Sequence, residues 1–539
     1  MRSHLFPLLL AIAVTFTVAA CDDARPAGAD AGLDDMELVD AVVVDLGHVD
    51  ARVDDTGFVD VVDLGHVDAR VDDTGFVDAA DALDPPGPHA VPARGPMSGY
   101  YPVTFPVVDL DPAAIVAVTV AGVAAYGVEA TVDGVRAVVQ GAPTPGPATV
   151  EVTTADGVTH DLGALFTYEP PLDPRFTRIV AFGGGLGQGL QRGVPSARGA
   201  LLSPPAQLAR RLGGFMPLPI PVDGAFVPMS LADLGPPPVC ASPDVTTFVL
   251  ARARAAVDRF ADADGAPAFH RARVDPDIRP ANVASGNVGV HELLAGPRTP
   301  SGRILSHFVH DPSGAPLDRV ARPQINELRP LEPTLVVSFD FFSKDLIDNV
   351  AGPELIPWSE LSAETLDTMM MYAAEQLGAL GVPVFLADLP RPSLLPCVAM
   401  LRARAAAESE EARVFFVAHL AQIDAAAELA NDLLRRYTRR FAQIHVVPLA
   451  ERFEAIAEQG LVIGGEALSM RRFGGLIGLD GVHYTETGYA IVADLFVEHI
   501  GATLGIELPR IDIAAVLAAD PERPSALAAA GFDRDACLR

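Results

Sequence analysis

Toward its C-terminal end the chain reads Leu479-Asp480-Gly481-Val482-His483-Tyr484-Thr485-Glu486-Thr487-Gly488-Tyr489-Ala490. An aspartate and a histidine three positions apart on one turn can act as a pair. The carboxylate orients the imidazole while the other ring nitrogen faces a substrate. That is general-base chemistry, and it needs a hydroxyl or a water to act on. Ser285 and Ser343 are the loop serines that could reach such a nitrogen and serve as a relocated nucleophile. Taken alone, the spacing also suits a surface Asp–His pair.

Two other constellations lead nowhere. His307 and His310, with Asp311 beside them, could share one helix face, but no third ligand lies nearby and no metal is expected. The run Gly183–Gly189 contains no G-x-G-x-x-G. It fits a G-x-x-x-G-x-G spacing, yet the sole lysine, Lys344, is preceded four residues earlier by Asp340, not by tyrosine. No acidic ribose partner follows about 20 positions on. No cofactor is expected.

The elements that must hold the pair can be read from periodicity. From Arg175 onward strand-like runs alternate with helical stretches: Thr177–Phe182, then Ala206–Leu212; Thr334–Phe339, then Ala363–Leu380; Val382–Leu386, then Val414–Tyr437; and Ile444–Leu449. Such alternation predicts an α/β domain with a mostly parallel sheet covered on both faces. Residues 175–515 form this domain, and 516–539, rich in Ala, Pro and Asp, read as a loose tail. Residues 95–170 differ. Pro102–Val108, Ala114–Val120, Val128–Val139 and Ala148–Thr154 are rich in Val and Thr, with turn signals at Asp133-Gly134 and Asp156-Gly157. They predict a small β-sandwich. Its opening Gly95-Pro96-Met97-Ser98-Gly99 and closing Leu165-Phe166-Thr167-Tyr168-Glu169 resemble an IPT/TIG immunoglobulin-like domain.

The larger domain resembles the SGNH (GDSL-type) hydrolases. Asp480 and His483, with the Gly-Tyr-Ala that follows, match that family's D-x-x-H block. The resemblance implies a three-layer, flavodoxin-like fold and an ester hydrolase. It also implies a nucleophilic serine after the first strand, and there the chain departs. Ile179-Val180-Ala181-Phe182 runs into Gly183-Gly184-Gly185-Leu186, so Gly184 stands where the family has aspartate and Gly185 where it has serine. The block that lends a backbone N–H to the oxyanion hole matches Asn282-Val283-Ala284-Ser285-Gly286, with Gly286 as donor. The block with an oxyanion-binding asparagine falls after Phe339, where Ser343 or Lys344 takes the asparagine's place according to register. A glycine has no hydroxyl, so no acyl-enzyme can form at Gly185.

The N-terminus sets location. Arg2 precedes the apolar run Leu5–Ala20, too short to span a bilayer comfortably, which ends in Val18-Ala19-Ala20-Cys21. Residues 1–20 read as a signal peptide resembling a bacterial lipobox, with Cys21 lipidated and the protein anchored in the cell envelope. Residues 21–94 form a solvated tether. Asp22 to Arg94 holds 19 acids against 4 arginines, and Val43–Asp60 recurs identically as Val61–Asp78. Two copies are too few for a solenoid. The formal net charge of -31 argues against a nucleic-acid partner. Cys240, Cys397 and Cys537 remain, and in an exported protein Cys240–Cys397 is the expected pair if one forms, with three free thiols the equal alternative. The sequence therefore predicts a membrane-anchored lipoprotein whose catalytically degenerate domain binds an unidentified ester, lipid or carbohydrate ligand. A weak esterase or a purely structural surface protein are the alternatives.

Overall fold

A computed structural model of the protein describes residues 90–222, 225–226, 272–286, 293–294, 308–309, 323–341 and 363–532. Cys21 and the duplicated acidic segment lie outside these residues. So do Cys240, Cys537, His307, His310, Asp311, Ser343 and Lys344.

The N-terminal part carries eight strands: β1 Arg94–Pro96, β2 Tyr101–Phe105, β3 Ile115–Val120, β4 Val123–Ala124, β5 Tyr126–Thr131, β6 Gly134–Val139, β7 Gly146–Thr154 and β8 Thr159–Glu169. They form two sheets, β1-β8-β7-β3-β4 and β2-β6-β5. Side chains alternate across a strand, so β7 buries Ala148, Val150 and Val152 while their neighbours face outward. These meet Val103, Phe105, Val135 and Val139 of the smaller sheet in one core. The run Val128–Val139 turns at Asp133-Gly134, as the turn signal there predicts, and Thr131 pairs with Gly134 across the hairpin.

The larger part is mixed α/β. Strands β9 (Ile179–Phe182), β10 (Leu335–Ser338), β11 (Val384–Ala387) and β12 (Ile444–Val447) pair in parallel, in the order β12-β11-β10-β9. Every residue of β9, β10 and β11 is buried. Because successive side chains point to opposite faces, both faces of this sheet are covered, which is why these strands read as unbroken apolar runs. Parallel bridges from Phe215 to Arg178 and from Asn282 to Ala181 extend the free edge of β9.

The chain thus leaves β9, adds a bridge on one side and returns to pair β10 on the other. The crevice beyond the C-terminal ends of β9 and β10 is a topological switch point, where α/β sheets place ligands.

Helices that follow these strands are α1 (Gly185–Gln188), α2 (Ala197–Leu202), α3 (Pro204–Leu212), α4 (Gln324–Leu328), α5 (Ala363–Gly378), α6 (Pro396–Glu408), α7 (Glu410–Thr438), α8 (Leu449–Gln459) and α9 (Glu486–Leu504). Helix α3 begins where sequence rules place a start: Ser203 accepts from the Ala206 N–H, and prolines occupy the first turn. Helix α9 is capped by the Thr485 hydroxyl and stops at Gly505 in the left-handed region. It is buried along most of its length, and the Phe496 ring centroid lies 4.1 Å from that of Phe339, just after β10.

Two features bear on the expectations. The N-terminal and larger parts touch, since the buried Tyr100 hydroxyl accepts from the Leu218 N–H at 2.7 Å. The tail expected over 516–539 is helical in part: α10 (Ile513–Ala519) runs into it from the domain and α11 (Pro524–Ala529) lies within it, burying Val516, Leu517 and Leu527. Their composition hid this because much of their docking runs through carboxylates.

Candidate functional site

Asp480 lies in the turn before α9 and is fully buried. Its Oδ1 accepts from the N–H groups of Val482 and His483, each at 2.9 Å. Its Oδ2 accepts from the Gly193 N–H at 2.8 Å and lies 2.8 Å from His483 Nδ1. Burial works against the charge, but His483 beside it and the two N–H donors of its own turn outweigh that and hold the Asp480 carboxyl below its ordinary range. The carboxylate fixes the ring by Nδ1, so Nε2 is the nitrogen left to face the crevice.

What Nε2 faces is Gly185. A Cβ built on Gly185 would lie 2.7 Å from His483 Nε2, 3.1 Å from its Cδ2 and 3.0 Å from Leu190 Cδ1. The dyad and the glycine anticipated at the nucleophile position are therefore brought together, at the C-terminal end of the first sheet strand. The imidazole already occupies space that a side chain at Gly185 would need.

Sequence reasoning missed Asp340, which the structure places at the centre of this crevice. It follows β10, is buried, and turns its carboxylate onto the glycine loop after β9. Oδ1 accepts from the Gly184 N–H at 2.9 Å and Oδ2 from the Leu186 N–H at 2.7 Å. Burial pushes its carboxyl up to about 6, against the lowering effect of the N–H donors of Gly184, Leu186 and Gly187 and of nearby His483. Gly183 explains why the loop can come so close. Its φ is +126°, and a Cβ there would strike Asp340 Oδ1 at 2.6 Å and Ser338 Oγ at 2.9 Å. The readable signal was a charged residue ending an apolar strand at the switch point.

The oxyanion candidates fare differently. The Gly286 N–H donates to Gln188 Oε1 at 2.7 Å, so it is committed within the protein. Ser343 and Lys344 fall outside the described residues. Ser285 is buried; its N–H donates to the Gly183 carbonyl at 2.9 Å, and its hydroxyl turns toward the Gly286 carbonyl at 3.4 Å. Among the described residues no hydroxyl is hydrogen-bonded to His483 Nε2. Two polar atoms near the glycine loop, Gln188 Nε2 and Ser338 Oγ, are buried without a hydrogen-bond partner.

Tyr489 accounts for part of the Gly-Tyr-Ala match. It is fully buried, and its hydroxyl donates to the Leu190 carbonyl, tying α9 to the loop whose Leu190 side chain flanks Gly185. No group of His, Cys, Asp and Glu among the described residues has the arrangement of a metal site. No protein-family model matches the sequence, and no curated protein or solved structure matches it either.

Proposed function

We propose that the protein is an exported lipoprotein, anchored in the bacterial envelope through Cys21, whose SGNH-like domain binds a ligand without hydrolysing it. The tether, expected over residues 21–94, gives way to the N-terminal sheets by Ala90, which is buried in their core, and Val91, which bridges to Thr104. It would carry an IPT/TIG-like β-sandwich and then the larger domain away from the membrane. One observation carries the non-hydrolytic reading: His483 Nε2 faces a glycine, within 2.7 Å of where a side chain would begin. Among the described residues no hydroxyl is hydrogen-bonded to this base, as an acyl-enzyme would require, and in a serine-protease triad losing the serine alone costs about 10⁶-fold in rate. The loop amides of Gly184 and Leu186, which could otherwise stabilise a developing oxyanion, are taken by Asp340.

Binding is favoured by what the site keeps. Asp480 is buried with four donors around it, and Gln188 Nε2 and Ser338 Oγ hold hydrogen-bonding capacity in reserve. Unsatisfied buried groups cost about 1–3 kcal/mol each, so a ligand that engaged them would recover that energy. The resemblance points to an ester, lipid or carbohydrate group as the ligand class.

The test is turnover of short-chain aryl esters by the full chain and by His483→Ala. Both should show only the same background. A wild-type rate that disappears in His483→Ala would instead support the weak-hydrolase reading, in which His483 activates water or a relocated serine.

A further inference from the structure

The loop after α1 contains one non-glycine residue with a positive φ. Arg192 has φ +54°, in the left-handed region that non-glycine residues enter at a cost. The next residue, Gly193, donates its N–H to Asp480 Oδ2, the oxygen that also holds His483 Nδ1. The Arg192 side chain reaches Glu522, its Nε donating to Oε1 at 2.7 Å, and Glu522 is only 6% exposed.

Glu522 belongs to the C-terminal segment, which is itself tied down beside the dyad. The Glu522 N–H donates to Asp520 Oδ1 at 2.9 Å. Asp520 Oδ2 accepts from the Thr487 N–H at 2.9 Å and the Thr487 hydroxyl at 2.7 Å, in the first turn of α9. Arg198 donates to the Ala519 carbonyl at 3.0 Å and pairs with Glu486.

We infer that the C-terminal segment, acting through Glu522, is a clasp that positions the Asp480–His483 dyad by holding Arg192 so that the Gly193 N–H meets Asp480. Glu522 and Arg192 are positioning residues that touch neither the ring nor Gly185. The inference rests on the geometry of the dyad alone and stands whether or not the site hydrolyses esters.

The readout is the proton on His483 Nδ1, followed by NMR in the full chain with labelled histidine and assigned by its loss in His483→Gln. A proton held in a buried hydrogen bond exchanges slowly with water. In Glu522→Ala and Arg192→Gly its exchange should quicken at least about tenfold, comparable with the loss of one net hydrogen bond. Glu522→Gln should show a smaller effect, because its amide oxygen can still accept from Arg192.

Arg192→Gly makes the test sharp. Glycine is at ease at φ +54°, so backbone strain is relieved while buried Glu522 loses its partner; a purely structural role therefore changes stability but predicts an undisturbed proton. Measured above about pH 7, the value to which burial raises the Glu522 carboxyl, the two variants also remove charges of opposite sign. A field effect alone would move the resonance in opposite directions, whereas lost positioning quickens exchange in both. Folded variants with unchanged exchange, or with opposite shifts and no quickening, would overturn the clasp. If Glu522→Ala does not fold, Arg192→Gly decides the matter.

Discussion

Placing a serine at position 185, as the proposed resemblance to SGNH hydrolases invites, should fail to create an esterase. In Gly185→Ser the new Cβ would stand 2.7 Å from His483 Nε2, where ordinary contacts begin roughly 0.7 Å farther out. The backbone at Gly185 is not in the left-handed region, so the strain comes from packing alone. His483 cannot simply retreat, because Asp480 sits behind it at 2.8 Å with its other donors in place. Leu190 closes the remaining side at 3.0 Å. Overpacking of this kind costs about 1–3 kcal/mol, and displacing the ring adds the loss of a charge-assisted hydrogen bond, about 1.5–3 kcal/mol if it breaks. Denaturant unfolding should therefore show Gly185→Ser less stable by at least about 1 kcal/mol. Aryl-ester turnover should stay at background, because Asp340 still occupies the amides of Gly184 and Leu186. Gly185→Ser with Asp340→Ala frees those amides, and one oxyanion donor is worth about 10²–10³-fold, so only the double variant should gain a measurable rate. Two results refute this reasoning. A Gly185→Ser protein of wild-type stability would mean that the ring is not where the geometry puts it. Clear turnover by Gly185→Ser alone would mean that Asp340 does not block the amides.

Other perturbations follow from the same geometry. Burial raises the folded-state carboxyl of Asp340 to about 6, above an unfolded value near 3.9, so its contribution is fully present below about pH 4 and is lost as pH rises through 6. About two pH units correspond to a relative change of ~3 kcal/mol between wild type and Asp340→Asn, read from urea unfolding at about pH 4 to 7.5; parallel curves would remove the argument. Tyr489→Phe should cost about 1–2 kcal/mol through the lost donor to the Leu190 carbonyl, measured by the same unfolding assay. Cys21→Ala should move the protein from the membrane to the soluble fraction, and retention through detergent-free washing would count against the lipid anchor.

The parts of the fold that were legible are those where burial dictates composition. Thr177–Phe182 and Thr334–Phe339 stand out because β9 and β10 are covered on both faces, and their observed limits fall inside those runs. Asp480 and His483 were legible because their pairing is local, three residues apart. The rest of the site is built across long separations. Asp340 meets the glycine loop over 154 to 156 residues, and Arg192 meets Glu522 over 330. No periodicity in one sequence records such pairings. Asp340 was also obscured by the family pattern, which points past it to Ser343 and Lys344. The C-terminal helices escaped for a related reason: an Asp- and Pro-rich stretch looks solvated until Asp520 and Glu522 are seen facing Thr487 and Arg192.

The features of this site belong together. An ester hydrolase must keep donors uncommitted until charge develops on the substrate, and those idle groups lower its stability. Here the amides of Gly184 and Leu186 have Asp340, and that of Gly286 has Gln188. Each satisfied donor avoids a penalty of about 1–3 kcal/mol and removes one means of stabilising an oxyanion. The glycine at 185 acts in the same direction, since the imidazole occupies the space that a side chain there would fill. The Asp480–His483 pair has gone the other way and remains fully braced, down to a strained Arg192 that places Gly193 on Asp480. A surface pair with no task would not need a carboxylate buried among four donors. The described residues thus leave His483 without an attacking hydroxyl and with a firmly oriented ring, which is the physical ground for the proposal that the region binds rather than hydrolyses.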